Sequence, residues 1–401
     1  MIVAHLSLAD FRNYATLEVA LVPGPNVFIG SNGQGKTNLV EAIGYLSTLG
    51  SHRVSSDQAL IRSGTDAAVV RARLEHDDRD VLLEVQLNRT GANRAQVNRV
   101  PVKPRELPRH IATVLFAPED LALVRGEPSG RRRFLDQLLM QLSPRFAGIL
   151  TDYERVLKQR NSLLKSARGA RVAETQLSTL ELWNERLVDL GSSIIDGRSD
   201  LVARLRPHVA EAYERIAGPG HLADLALELT TRGSQPEDGT DAAAPEPTAT
   251  EADEVEAPDA AAGSRGTTTA DEFRAAVARV RRAELDRGLS LVGPHRDDLL
   301  LVLNGLPARG YASHGESWSF ALSLKLASAA LLRAESQIGD PIVVLDDVFA
   351  ELDESRRAQL AAAIGDYQQV LITAAVLGDV PAELARHTVR IREGRVVEEE
   401  S

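Results

Sequence analysis

Apolar and polar positions alternate at the start of the chain, and residues 2–8 and 16–22 read as half-buried strands. Asn26-Val27-Phe28-Ile29 is a short apolar strand running into glycine. The period then changes. Leu39, Val40, Ile43 and Leu46 recur along one face and predict a helix over 38–49. Strands are expected again at 69–74 and 81–87. From about 129 to 217 the spacing is helical, with Phe134, Leu135, Leu138, Leu139 and Leu142 in one stripe and Leu157, Leu163 and Leu164 in another. A helix over 271–283, strands at 289–292 and 299–303, and a helix over about 316–335 follow. Pro341-Ile342-Val343-Val344-Leu345-Asp346 is a buried strand with a carboxylate at its end, and 370–373 is another. No internal repeat is visible.

The stretch 231–270 breaks this pattern. It is rich in Ala, Pro, Glu, Asp and Thr, and Val255 is its only large aliphatic residue. So little apolar surface cannot offset the entropy of ordering, and a disordered insertion is expected. Its nine acids against Arg232 and Arg265 supply most of the chain's net charge of −11. By contrast, 125–171 holds eleven Lys or Arg against four acids, and 89–109 holds six against Glu106 alone. Charge is segregated along the chain, so the negative total does not exclude a polyanionic partner. No apolar run reaches the roughly 18 residues of a membrane span. The N-terminus has neither the basic start nor the cleavage site of a signal peptide. Cysteine is absent, which excludes disulfides, thiol catalysis and cysteine-ligated zinc. A cytoplasmic protein without a membrane partner segment is expected.

Three motifs carry chemistry. Gly30, Ser31, Asn32, Gly33, Gln34, Gly35, Lys36 and Thr37 fill every fixed position of a phosphate loop, between an expected strand and helix. Backbone N–H groups there curl around phosphates, Lys36 reaches the β and γ groups, and Thr37 holds Mg²⁺. Asp346 ends an apolar strand, where a carboxylate can hold the metal directly or through water. Asp347 beside it can orient or deprotonate the attacking water; a solvated Asp pair is the plainer alternative. Aspartate is a methylene shorter than the glutamate such sites more often use, so slow hydrolysis is expected. Ser313, Gly315 and Glu316 open a helix shortly before the carboxylates, as an N-cap or as the signature of an ABC-type head. In such heads the signature of one protomer closes on the γ-phosphate bound by the other, so ATP joins a homodimer. Glu351-Leu352-Asp353 resembles the adjoining D-loop.

Residues 26–39, Ser51-His52-Arg53, Pro118-Glu119-Asp120-Leu121, and the stretches 131–136, 293–298 and 345–353 occur in order along nearly the whole chain. In this the sequence resembles the RecF family of bacterial DNA replication and repair proteins. The resemblance implies an α/β fold, an ABC-ATPase-type head (P-loop NTPase) with an inserted α-helical second lobe. It implies ATP and Mg²⁺ as cofactors, an ATP-dependent homodimer, and double-stranded DNA or single-strand/double-strand junctions as substrate. RecR and RecO are the implied partners, with loading of RecA at gaps and SOS induction as the outcome. The expected segments are 1–120 and 285–401 for the ATPase lobe, 121–230 and a return helix at 271–284 for the second lobe, and 231–270 for the insertion. Two departures stand out: Trp318 where the family signature often has arginine, and Glu316 where it has glutamine. Thr373 ends a strand where transporter ATPases place a switch histidine.

Candidate DNA contacts are Arg155, Lys158, Lys165 and Arg168, whose spacing lets them share a helix face. A solvated helix surface is the alternative. His52 and Arg53 are either DNA contacts or solvated loop residues, and Arg131, Arg132 and Arg133 can equally pair with acids. His295 and Arg296 follow a Gly-Pro turn, as DNA contacts or as ion-pair partners of Asp297 or Asp298. Rival readings are a soluble ABC-type ATPase subunit coupled to a membrane or other protein partner, and a nucleotide-gated DNA clamp without catalysis. The helical insert is too short for long coiled-coil arms.

Overall fold

The computed structural model describes residues 1–401 except 55, 77–78, 171–177, 235–266, 337 and 398–401. Most of the insertion expected at 231–270 therefore lies outside the described residues.

The central strands are the continuous apolar runs. Ile342–Asp346 and Gln369–Ala374 are buried at every position, as strands of a parallel sheet covered on both faces must be. They sit inside a six-stranded sheet ordered Arg395–Val397, Thr388–Arg392, Gly24–Ile29, Gln369–Ala374, Ile342–Asp346 and Thr113–Phe116. All neighbours are parallel except the terminal hairpin. Side chains alternate across this sheet. Phe28, Ile342, Val344 and Leu371 join one core with the helix Lys36–Thr48 and a second sheet. Val27, Val343, Leu345, Val370 and Ile372 face the other core, shared with the helix His314–Glu335.

That second sheet is antiparallel, in the order Tyr14–Ala20, Ile2–Phe11, Ala67–His76, Arg79–Asn88, Arg94–Val97 and Val100–Val102. The helical lobe consists of Leu121–Arg125, Pro128–Leu142, Arg145–Ala170, Ser178–Ala217 and Thr269–Arg287. Tyr153, Leu187, Ile194, Phe273 and Val277 form its own core. The helix His314–Glu335 packs against Ser178–Ala217 and is buried over most of its length. Its buried Ser323 and Ser328 hydroxyls donate to carbonyls one turn back, at 2.6 and 2.8 Å, so they cost nothing unsatisfied.

Two sequence expectations are corrected. No strand forms at 289–292. The N–H of Ser290 donates to Asn161 and that of Leu291 to Glu284, each at 2.8 Å, so side chains take the donors a ladder would need. The stretch 121–230 is not wholly helical, because Ala223–Glu228 is a strand. It pairs antiparallel with Asp298–Leu303, which continues to Leu306–Pro307, and this small sheet crosses the boundary expected at 285.

The excess of basic residues at 125–171 is also smaller in space than in sequence. Arg131 grips Asp298 with two bonds of 2.8 and 2.7 Å. In the opposite sense, Asp136 brings Arg198 in, accepting from it twice at 2.8 Å. Arg160 is fully buried and donates to Asn184, Ser290 and Glu284 at 2.8, 2.6 and 2.5 Å. Removing one partner of such a pair strands a buried charge. Arg160→Met is expected to destabilise the protein by about 3–5 kcal/mol in chemical denaturation. Pairing it with Glu284→Leu should recover most of that loss, because no unpaired charge then remains.

Candidate functional site

The phosphate loop leaves the strand Gly24–Ile29 and enters the helix Lys36–Thr48. Gly30 passes so close to the terminal hairpin that an added Cβ would lie 2.3 Å from the Ile391 carbonyl oxygen. Gly35 holds φ at 116°, in the left-handed region, and turns the chain into the helix with no side-chain cap. The first N–H groups of that helix are thus free for an anion, and no acidic residue in its first turn opposes one. Gln34 is pinned rather than free: its side-chain oxygen accepts from the Glu393 N–H at 2.6 Å. Its carbonyl accepts from Gly394 and from Asn13, each at 3.0 Å. Ser31, Asn32 and Gly33 remain exposed, while Lys36 is buried with its ammonium 3.4 Å from the Ser31 carbonyl.

Asp346 brings the two halves of the chain together. Its Oδ1 accepts from the Thr37 hydroxyl at 2.9 Å and from the Thr373 hydroxyl at 2.7 Å. Thr373, which the sequence sets where transporter ATPases place a switch histidine, thus lies at the site. Asp347 has φ 52° and donates its N–H to the Thr373 hydroxyl at 2.9 Å. Its Oδ1 is buried with no hydrogen-bond partner. Burial above all, with the Asp346 charge, raises its carboxyl above the usual carboxylate range, against the pull of Lys36. A cradle of free N–H groups, a buried ammonium and a hydroxyl–carboxylate pair fit a triphosphate and its divalent cation.

The other expected site residues scatter. Ser313 and Glu316 form a capping box: the Glu316 carboxylate accepts from the Ser313 N–H at 2.8 Å, and the Ser313 hydroxyl accepts from the Glu316 N–H at 3.3 Å. Those bonds hold the Glu316 carboxyl below its ordinary range, so its charge serves its own helix terminus. Nothing from Ser313, Gly315 or Glu316 bonds to the phosphate loop of the same chain. Trp318 is buried, but two arginines reach the signature from elsewhere. Arg125 donates to the Ser317 hydroxyl at 3.1 Å, and Arg356 to that of Ser319 at 3.1 Å while lying against Gly315.

Among the expected DNA contacts, His52 is half-buried and turned toward the phosphate-loop site. Its Nε2 is buried and lies 3.8 Å from Asp346 Oδ2. Arg53 is exposed and bonds Asn38 at 3.1 Å. Lys158 and Lys165 are exposed, Arg155 pairs with Asp152 at 2.8 Å, and Arg168 donates to the Arg287 carbonyl at 3.2 Å. His295 has no carboxylate partner among the described residues. It is half-buried, shares a 2.8 Å hydrogen bond with the Tyr153 hydroxyl, and is driven by burial down to a pKa of about 3.

Comparison with known proteins bears on this geometry. Residues 2–393 match the model of the RecF/RecN/SMC N terminal domain. The chain is 61% identical over 398 residues to the DNA replication and repair protein RecF of Leifsonia xyli subsp. xyli, covering 99% of this chain and 100% of that one. It is 50% identical over 402 residues to the RecF protein of Streptomyces avermitilis, with 99% of each chain covered. Its structure resembles that of the recombination mediator protein RecF-ATPrS in the RecFOR pathway, with a TM-score of 0.82 at 26% identity, covering 98% of this chain and 97% of the other. A head of this architecture, with this phosphate loop and these carboxylates, belongs to the RecF family of DNA replication and repair proteins.

Proposed function

We propose that this chain is a slow ATPase whose nucleotide, with Mg²⁺, closes a homodimer on double-stranded DNA or single-strand/double-strand junctions, and whose hydrolysis releases it. The observation that carries the reading is the meeting of Thr37, Asp346 and Thr373 beside an uncapped phosphate-loop helix. Gly30 to Thr37 bind the phosphates, Thr37 and Asp346 hold the metal, and Asp347 acts on the attacking water. A solved relative carrying ATP supports the cofactor. The metal supplies a positive charge against the developing phosphate charge. Asp347 lies next to the metal carboxylate, where it can act on the attacking water, and its short side chain keeps turnover low. Ser313 is exposed, as it must be if it serves a nucleotide held by a second copy.

DNA contact is supported by charge left unpaired. Arg94, Arg99, Lys103, Arg105 and Arg109 are exposed along the edge hairpin and the turn after it, with no carboxylate partner among the described residues. Lys158 and Lys165 add a second exposed group, and Arg53 lies nearby the phosphate-loop helix. Such groups bind phosphates without reading sequence. The RecFOR pathway named for the solved relative supports RecO and RecR as partners. RecA loading at gaps and SOS induction, in the cytoplasm, are the outcome of the same proposal.

Three outcomes test the reading. Lys36→Met should weaken ATP binding by about 100-fold and abolish the rise in mass that light scattering detects with ATP and Mg²⁺. A mutant that still dimerises with ATP contradicts it. Asp347→Asn should keep ATP binding, lose about 100-fold in hydrolysis and persist as a dimer on DNA. Rapid dissociation in ATP would count against that role. Reversing Arg99, Lys103 and Arg105 to Glu should weaken duplex binding and flatten its dependence on log salt by about 3, and reversing Lys158 and Lys165 by about 2. Both sets should dimerise normally with ATP.

A further inference from the structure

Asp346 is held on one oxygen by Thr37 and Thr373, and its other oxygen has a neighbour that the phosphate-loop chemistry does not require. Oδ2 faces the imidazole of His52, whose Nε2 lies 3.8 Å away. That nitrogen is buried and makes no hydrogen bond, a costly state for a polar atom withdrawn from water. The loop that delivers it is fixed from beneath. The Ser51 hydroxyl donates to Glu41 and accepts from the N–H groups of Arg53 and Val54 at 2.9 and 3.1 Å. Glu41 is itself buried and gripped by Arg12 through bonds of 2.8 and 2.7 Å. A histidine anchored in this way and aimed at a carboxylate is not a loosely placed surface residue.

We infer that His52 is a positioning residue for the metal carboxylate. Turned onto Asp346 Oδ2, its Nε2–H fixes the carboxylate plane, so that Asp346 and Thr37 present preset oxygens to the cation that accompanies ATP. The gap exceeds a hydrogen bond by under about 1 Å. The imidazole borders a cavity of about 220 Å³ between the two lobes, which gives it room to turn. Groups that orient a metal ligand from behind typically change metal affinity by about 10–100-fold. The inference rests on the proposed role of Asp346 in holding Mg²⁺.

The test is a Mg²⁺ titration of the full chain with a fluorescent ATP analogue, read by retained nucleotide and by melting temperature. His52→Ala should raise the half-saturating Mg²⁺ about 10-fold. Nucleotide affinity in EDTA and the melting temperature without nucleotide should not change. His52→Gln keeps a side-chain N–H donor and should restore most of the lost Mg²⁺ affinity. A His52→Ala protein with wild-type Mg²⁺ dependence overturns the inference, as does one that loses nucleotide equally with and without the metal. Asp346→Asn separates the two levels. If wild type and Asp346→Asn respond alike to Mg²⁺, the carboxylate assignment itself falls and takes the inference with it.

Discussion

One carboxylate oxygen ties the molecule together. Asp346 Oδ1 accepts from Thr37 and Thr373, residues carried by different elements and brought to one edge by the parallel sheet. The register makes this possible: Asp346 lies opposite Thr373, and Thr373 opposite Phe28, two residues before the phosphate loop begins. Parallel strands point their carboxyl ends the same way, so the loops that follow them share one edge, where ligands of open α/β sheets bind. A slip of one residue between Ile342–Asp346 and Gln369–Ala374 would turn Asp346 to the opposite face. Full burial of both strands makes such a slip prohibitive.

That constraint explains how a helical lobe can be inserted without spoiling the site. The chain leaves the parallel sheet after Thr113–Phe116 and returns to it only at Ile342–Asp346. Between them, Arg131 with Asp298, Arg198 with Asp136 and Arg160 with Glu284 lock distant segments by paired guanidinium–carboxylate contacts. Buried pairs of this kind add little net stability, but they penalise every arrangement that would separate them. The helix His314–Glu335 then packs on both the sheet core and Ser178–Ala217, so the signature is set rigidly against the strand bearing Asp346.

What was legible in the sequence follows from this division. The phosphate loop and Ile342–Asp346 were readable because their chemistry lies in contiguous residues. Strong periodicity likewise placed the helices Lys36–Thr48 and His314–Glu335 to within two residues at each end. The misread strand at 289–292 had apolar residues enough, but its donors are taken by Asn161 and Glu284, remote side chains that no local pattern reveals. Ala223–Glu228 was hidden because it is short, with only Ala223 and Leu225 buried, and it follows a long helical stretch. Thr388–Arg392 did carry a readable signal, with Val389 and Ile391 buried between exposed polar residues. The local excess of basic charge misled for a different reason: Arg131 and Arg160 find their acids more than a hundred residues away. His52 and Thr373 were unassignable for the same reason, since each acquires its meaning only from Asp346.

The signature draws its cations from other elements of the fold. Trp318 is buried and supplies no cation, and the Glu316 carboxylate would repel a phosphate were it free. It is not free, because the Ser313 N–H holds it at 2.8 Å against its own helix terminus. Arg125, from the first helix of the inserted lobe, bonds Ser317 and the Ala312 carbonyl at 3.1 and 3.5 Å. Arg356, from the helix Glu354–Ile364, closes on Gly315 from the other side. Two guanidinium groups therefore flank a signature that has none of its own, and guanidinium is the cation best matched to phosphate oxygens. Arg356 also pairs with Asp353, so the charge around 313–317 is set by three elements converging, and a motif read along the chain understates it.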